Sequence, residues 1–188
     1  MSFNYEVNIN DAKKAILNFS GIWRRFDRVG YFDFKNNKKF NLIKNINIDL
    51  KDKVLLISDY GHHPTAIKET IKAVKDFYKN KRVVLAFQPH EHTRTKVLLK
   101  QYISAFDNVD FIIFEEIYTV PGRESQKEIE MINSKEVVKK IKKHNPQLNI
   151  WYAKDNEEVK NLIKSNLKKN DVLIVMGAGT IYNIIKGL

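Results

Sequence analysis

Cysteine is absent from all 188 residues. That excludes disulfides, thiolate zinc sites and a cysteine nucleophile, and it fits a reducing compartment. No apolar run approaches the roughly 18 residues that a membrane-spanning helix needs. The opening Met1-Ser-Phe-Asn-Tyr5 lacks the basic-then-apolar order of a signal peptide. A soluble, cytoplasmic protein with no membrane partner is the expectation. A phosphate-cradling G-x-x-x-x-G-K-[ST] loop is missing too. Gly177-Ala-Gly-Thr180 lacks the third glycine of the dinucleotide fingerprint and reads first as a tight strand-to-helix turn. Arginine is scarce, with six of the 33 basic residues; the rest are lysines spread over expected helix surfaces. The formal charge of +11 therefore looks like a compositional bias. It suits anionic small substrates such as nucleotides, and leaves a basic nucleic-acid binder as a secondary reading.

What is present describes one globular unit. Hydrophobic residues make up 43% of the chain, enough for a single main core at this length. From about Lys53 onward, short β-branched runs alternate with helical patterns, the signature of βα units and a parallel sheet. Strands are expected over residues 54–57, 82–87, 111–114, 149–152 and 171–176. Several are apolar at consecutive positions, as strands covered on both faces must be. Helical spacing appears over residues 65–78, through Ile67, Ile71, Val74 and Tyr78, and over 97–106, through Val97, Leu98, Tyr102 and Phe106. Two further helices are expected over 134–144 and 156–167, with Ser134 and Asn156 as N-caps. The reading is an α/β fold: an open, doubly wound, mostly parallel, Rossmann-like sheet with its loops gathered at the strands' carboxyl ends.

The first fifty residues differ. A short helix over 11–18 precedes two strand-like stretches, 24–35 and 39–48, around a turn at Lys35-Asn-Asn-Lys38. Residues 1–52 are thus expected to form a helix and β-hairpin layer packed on an α/β domain of residues 53–188. The longest stretch without expected structure is 119–133.

Two polar segments follow strands and precede helices, where ligands bind in open α/β sheets. The first is Asp59-Tyr-Gly-His-His-Pro-Thr65. Pro64 suits a first helical turn, Gly61 a tight bend, and the helix N-terminus offers unpaired N–H groups to an anion. The bland alternative is a turn whose Asp and His satisfy backbone groups. The second is Phe87-Gln-Pro-His-Glu-His-Thr-Arg-Thr95. His90 and Arg94 could address a carboxylate, for which a guanidinium fork is well shaped. The bland alternative there is a surface loop with Thr95 capping the next helix. His62, His63, His90 and His92 raise the question of a metal, but no H-x-x-x-H on one helix and no companion carboxylate spacing supports a tightly bound one.

Together these segments resemble, in order and separation, the two signature loops of the C-terminal domain of the UDP-N-acetylmuramate–L-alanine ligases, within the Mur ligase family. Phe19-Ser-Gly-Ile-Trp-Arg-Arg-Phe26 resembles the family's Gly-x-x-Arg-Arg-Phe segment at the junction of central and C-terminal domains. Ile117-Tyr118 and Gly177-Ala-Gly179 resemble later loops, the last as a loop closing near the alanine site. The resemblance implies an ATP- and Mg2+-dependent, amide-forming ligase of peptidoglycan precursor synthesis. ATP would convert the muramoyl carboxylate to an acyl phosphate for attack by the amine of L-alanine. By resemblance, Arg25, Asp59 and Tyr60 face the nucleotide. His62, His90 and Arg94 orient alanine, with Arg94 on its carboxylate. Three departures stand out. Ser58 precedes Asp59 where the family usually has Asp. Glu91 follows His90 where the family usually has Arg. The run 40–53 is longer than usual.

The absent P-loop implies that this chain lacks the central, ATP-binding domain and the N-terminal, sugar-nucleotide domain. It is expected to be inactive alone, to bind no cofactor tightly, and to be an excised domain or a split subunit. The alternatives are the C-terminal domain of the ligase that attaches a recycled murein peptide to the same sugar nucleotide, and a non-catalytic ligand-binding module.

Overall fold

A computed structural model gives the architecture; it describes residues 7–19, 21–33, the backbone of 40–42, and 49–188. Helix α1 (Ile9–Leu17) is followed by strands β1 (Asp27–Asp33) and β2 (Phe40–Leu42). The α/β alternation then runs β3 (Lys53–Asp59), α2 (Pro64–Phe77), β4 (Val83–Phe87), α3 (His92–Val97), α4 (Leu99–Ala105), β5 (Phe111–Glu115), α5 (Gln126–Ile129), α6 (Ser134–His144), β6 (Ile150–Ala153), α7 (Asn156–Asn166) and β7 (Val172–Met176). A 3-10 helix, Thr180–Gly187, follows β7 where the fifth βα helix is expected. None of the helices is long and apolar enough to cross a membrane, among the described residues.

The strands form one sheet in the order β2-β1-β3-β7-β4-β5-β6. The pairs β3–β7, β7–β4, β4–β5 and β5–β6 are parallel. The expected hairpin is there, and it lengthens the sheet: β1 pairs antiparallel with β2 on one side and with β3 on the other. Its turn, 35–38, lies outside the described residues, as does most of the expected stretch 39–48. Residues 24–26 turn before β1 begins.

Consecutive apolar residues in the central strands divide between two faces because side chains alternate along a strand. Leu55, Ile57, Leu85, Phe87, Ile112, Phe114, Ile174 and Met176 face one cluster, with Ile67, Ile71 and Val74 of α2, Tyr102 of α4, and Val137 and Ile141 of α6. Val54, Leu56, Val84, Ala86, Ile113, Leu173 and Val175 face the other, with Val159 and Ile163 of α7 and Ile181 and Ile184 of the 3-10 helix. Helices cover both faces of the sheet, which is the doubly wound arrangement.

Local chemistry explains where elements start. Pro64 opens α2, and His63 caps it by accepting from Thr65 N at 3.3 Å. The caps expected at Ser134 and Asn156 fall one residue earlier. Asn133 accepts from Glu136 N at 3.0 Å and Asp155 from Glu158 N at 2.9 Å, because the side chain that reaches forward to the amide three residues on belongs to the position just outside the helix. The stretch 119–133 contains α5, started by a reciprocal capping box between Ser125 and Glu128. The helix expected over 97–106 starts earlier, at His92, and breaks at Leu98 into α3 and α4. Thr95 therefore sits inside α3 and donates its hydroxyl to Glu91 O at 2.8 Å instead of capping.

Candidate functional site

Register brings the polar loops together. Asp59 at the end of β3 pairs with Met176 of β7, Met176 with Phe87 of β4, and Phe87 with Phe114 of β5. Four loops therefore leave the carboxyl edge at one level. Strand β7 lies between β3 and β4, which are consecutive in the chain; the first and second loops flank the crevice where strand order departs from chain order.

In the first loop Asp59 is buried, and its carboxylate is turned inward. Oδ1 accepts from Gly61 N at 2.6 Å, and Oδ2 from Phe26 N at 2.9 Å and from the Thr70 hydroxyl at 3.4 Å. Tyr60 N donates to Arg24 O at 2.7 Å, so the N-terminal junction is stitched onto this loop. The Tyr60 ring has the Arg24 guanidinium 5.0 Å from its centroid and that of exposed Arg25 at 5.2 Å. It also meets the His62 ring edge-on at 5.7 Å. His62 Nδ1 lies 3.2 Å from Tyr60 O, and the Tyr102 hydroxyl donates to His62 O. Because a carbonyl can only accept, Nδ1 carries the proton and Nε2 keeps its lone pair.

In the second loop, His90 lies 5.5 Å from both the His62 and Tyr118 rings. Arg94 Nη1 donates to His90 Nδ1 at 3.3 Å, and Arg94 Nη2 pairs with Glu91 Oε2 at 2.8 Å. Burial lowers the pKa of both His62 and His90 below the ordinary histidine value. The Arg94 charge adds to this at both rings, Arg25 adds at His62, and Glu91 partly opposes it at His90. Both rings are therefore neutral at pH 7. Glu91 is held at φ +65°, on the left-handed side rare for a residue with a side chain. The β5 loop fixes it there: Glu91 N donates to Tyr118 O at 3.0 Å and Tyr118 N to Pro89 O at 2.9 Å.

All six residues named from the sequence thus lie in one network. Arg25, Tyr60, His62, His90 and Arg94 form a chain of contacts, and Asp59 braces it from below. The remaining histidines turn elsewhere. His63 caps α2, and buried His92 meets Glu124 through its backbone N at 2.6 Å and its ring at 3.3 Å. No group of three or more His, Asp or Glu side chains able to hold a metal ion occurs among the described residues.

Arg24, Gln88 and Tyr182 also belong to the network, with no site role assigned to them from the sequence. Arg24 is 8% exposed. Its guanidinium lies over Trp23, Tyr60 and Tyr182, 5.5, 5.0 and 4.9 Å from their centroids, and donates to Gly177 O. The twin arginine of the junction was the available signal, without a way to tell which one is buried. Gly177 explains the glycines of the β7 loop: at φ +151°, a Cβ there would stand 2.8 Å from Gln88 O. A Cβ at Gly179 would collide with the Gln88 side chain and the Tyr118 ring. Gln88 ties the loops, donating to Thr180 Oγ1 at 3.3 Å and accepting from Ile181 N at 3.1 Å. The β7 loop closes directly on the second loop.

Beside this network, a cleft of about 540 Å³ is lined by Gln88, Glu115, Asp155, Asn156 and Thr180. Glu115 is 3% exposed, and its Oε2 has no hydrogen-bond partner. Burial, with the nearby charges of Asp155 and Glu116, pushes its carboxyl up to about 8, so it is protonated at neutral pH.

The arrangement suits recognition of a small anionic or zwitterionic group by arginine and neutral imidazoles. The UDP-N-acetylmuramate–L-alanine ligase of Wigglesworthia glossinidia brevipalpis is 36% identical over 98% of this chain, which spans only 35% of that protein. The fold is shared with the crystal structure of UDP-N-acetylmuramate–alanine ligase from Thermotoga maritima (TM-score 0.64, 20% identity, 93% of this chain and 31% of that one). It is shared equally with a murein peptide ligase from Psychrobacter arcticus (TM-score 0.63, 21% identity, 94% and 31%). Residues 46–179 match the family described as Mur ligase, glutamate ligase domain. The chain belongs to the Mur ligase family, as the domain that lies C-terminal in its ligases.

Proposed function

We propose that this chain is the amino-acid-positioning domain of an ATP-dependent ligase that joins L-alanine to UDP-N-acetylmuramate in peptidoglycan precursor synthesis. The observation that carries the reading is the meeting of His62, His90 and Arg94 from two separate loops at one sheet edge. The relatives' names supply the acceptor and the sugar nucleotide. Residues 53–188 are the α/β domain proper, and residues 1–52 lead into it from the rest of the ligase.

In the assembled enzyme, ATP supplies the activation of the muramoyl carboxylate. The residues of this chain do the rest of the work on the acceptor side. Arg94 takes the alanine carboxylate, His90 fixes the guanidinium by accepting from it, and His62 Nε2 receives the proton that the ammonium must lose before the amine attacks. Holding amine and acyl carbon in line is where such a site gains most of its rate. Arg25 and Tyr60 fit one edge of the nucleotide as an exposed cation beside a ring. Asp59 keeps them in place through the Phe26 and Gly61 amides. Among the described residues no cluster of carboxylates or histidines fits a magnesium site, and the sequence carries no P-loop, which supports placing magnesium and the phosphate chain in the rest of the ligase. The chain alone is inactive.

The test uses this chain fused behind the first two domains of an alanine ligase relative, with phosphate release followed as L-alanine is added. Arg94→Ala should lower kcat/KM for L-alanine by about 10- to 100-fold, the usual loss for a charge-assisted hydrogen bond. An unchanged kcat/KM contradicts the role given to Arg94 and with it the reading.

A further inference from the structure

Glu91 stands where a cation is usual in the resembled loops, and the fold spends backbone strain on keeping it there. Its φ of +65° is held from both sides by the hydrogen bonds of Tyr118, one to Glu91 N and one to Pro89 O. Non-glycine residues in such conformations cluster where a site needs a side chain aimed in one direction. The side chain is aimed at Arg94 Nη2, 2.8 Å away, and lies 3.9 Å from His90 Nδ1. Glu91 is only 17% exposed, whereas Arg94 is 36% exposed. The anion is thus the more enclosed partner and the cation the more accessible one. An acidic group permanently on Arg94 would compete with a substrate carboxylate, unless the substrate brings a positive charge for Glu91 as well.

An α-amino acid carries just that combination, an ammonium and a carboxylate on one carbon. We propose that Glu91 and Arg94 form a clamp for a small zwitterion, with Arg94 taking the carboxylate and Glu91 the ammonium. The proposal rests on the amino-acid reading above and deepens it, since it names the feature of the ligand that the site selects. In the free protein the two side chains neutralise each other. On binding, Arg94 swings aside and the ligand's two charges are inserted between them, so each side chain exchanges one partner for another of the same sign. Opening the pair costs little, because a partly exposed ion pair is weak. Neutral His62 and His90 flank the clamp without adding a charge that would upset the match. A ligand bearing only one of the two charges leaves either Glu91 or Arg94 uncompensated.

The test is a calorimetric or NMR titration of the 188-residue chain with three probes: L-alanine, N-acetyl-L-alanine, which lacks the ammonium, and L-alaninamide, which lacks the carboxylate. Glu91→Gln keeps the shape and removes the charge. It should weaken L-alanine and L-alaninamide on the order of tenfold. N-acetyl-L-alanine should bind the variant as well as the parent or better, because Arg94 is freed. Arg94→Ala should do the reverse, weakening N-acetyl-L-alanine and L-alanine while sparing L-alaninamide. If Glu91→Gln leaves L-alanine unchanged or tightens it while Arg94→Ala still weakens it, the clamp is wrong and Glu91 is a mere plug, with the alanine site intact. If neither variant changes L-alanine binding, or the parent does not bind it, the clamp and the alanine reading fall together.

Discussion

Glu115→Gln should match the parent protein in stability near pH 5 to within about 1 kcal/mol, and exceed it by about 3–5 kcal/mol above pH 8. The reason is a proton held by the fold. Glu115 is buried at the end of β5 with Oε2 unpartnered, and its carboxyl is raised from 4.5 to about 8. In the unfolded chain the same group ionises near its ordinary value. Between the two values the folded state binds one more proton than the unfolded state, so the fold loses stability as pH rises. The contribution is complete below pH 4.5 and is gone once pH has passed through 8. A glutamine has the shape of the protonated acid and nothing to ionise. Urea unfolding of both proteins at a series of pH values gives the difference curve directly. The depressed histidines act with the opposite sign, destabilising the fold as pH falls below about 6.5, but they are common to both proteins and cancel. Parallel curves would mean that Glu115 finds a partner, or water, in the cleft.

Phe87→Ala should cost about 3–5 kcal/mol, as large-to-small changes of a buried aromatic do, and lower the melting temperature by about 10 °C. Phe87 is fully buried, and its ring lies 6.0, 5.4 and 5.4 Å from those of Tyr102, Phe106 and Phe114. The cavity would open directly beneath both loops. Phe87 is the last strand residue before Gln88, and the Tyr102 hydroxyl holds the His62 carbonyl. Loss of the ring should therefore weaken L-alanine binding beyond what lower stability explains at a temperature where the variant is fully folded. Phe87→Leu, which refills part of the space, should recover most of both losses. A cost below about 1 kcal/mol for the alanine variant would show that the aromatic cluster is not what supports the loops.

The central sheet was legible because its signal is redundant. Strand β4 reads as a strand from its composition, its length and the turn residues after it, and its five residues are all buried. The helices were legible from residues four apart, such as Ile67 and Ile71 or Val159 and Ile163, but their starts were less so. Capping depends on which side chain reaches forward onto the first-turn amides, and adjacent Asn133-Ser134 and Asp155-Asn156 offer two chemically suitable residues each. Helix α3 was missed because its polar residues, His92 to Arg94, read as loop chemistry and its one apolar residue lies at its end. The site residues came from the two loops and the twin-arginine junction, three segments that resembled a family, and those segments did land together. Arg24, Tyr118, Tyr182 and Gln88 depend on strand order and on loops distant in the chain. Nothing local marks Tyr182 as the ring that will cover Arg24. Glu115 is the sharpest case. In the sequence it is one of two adjacent acids, yet Glu116 accepts from the Ser134 and Ile117 amides and the Tyr152 hydroxyl, while Glu115 Oε2 is left with nothing.

Acceptor choice tests the central claim most directly. With the chain fused behind the ATP-binding and sugar-nucleotide-binding domains of an alanine ligase relative, phosphate release is compared with L-alanine and with the murein tripeptide as acceptor. The account predicts release that depends on L-alanine, with little from the tripeptide. Preference for the tripeptide, or phosphate release indifferent to either acceptor, would contradict it.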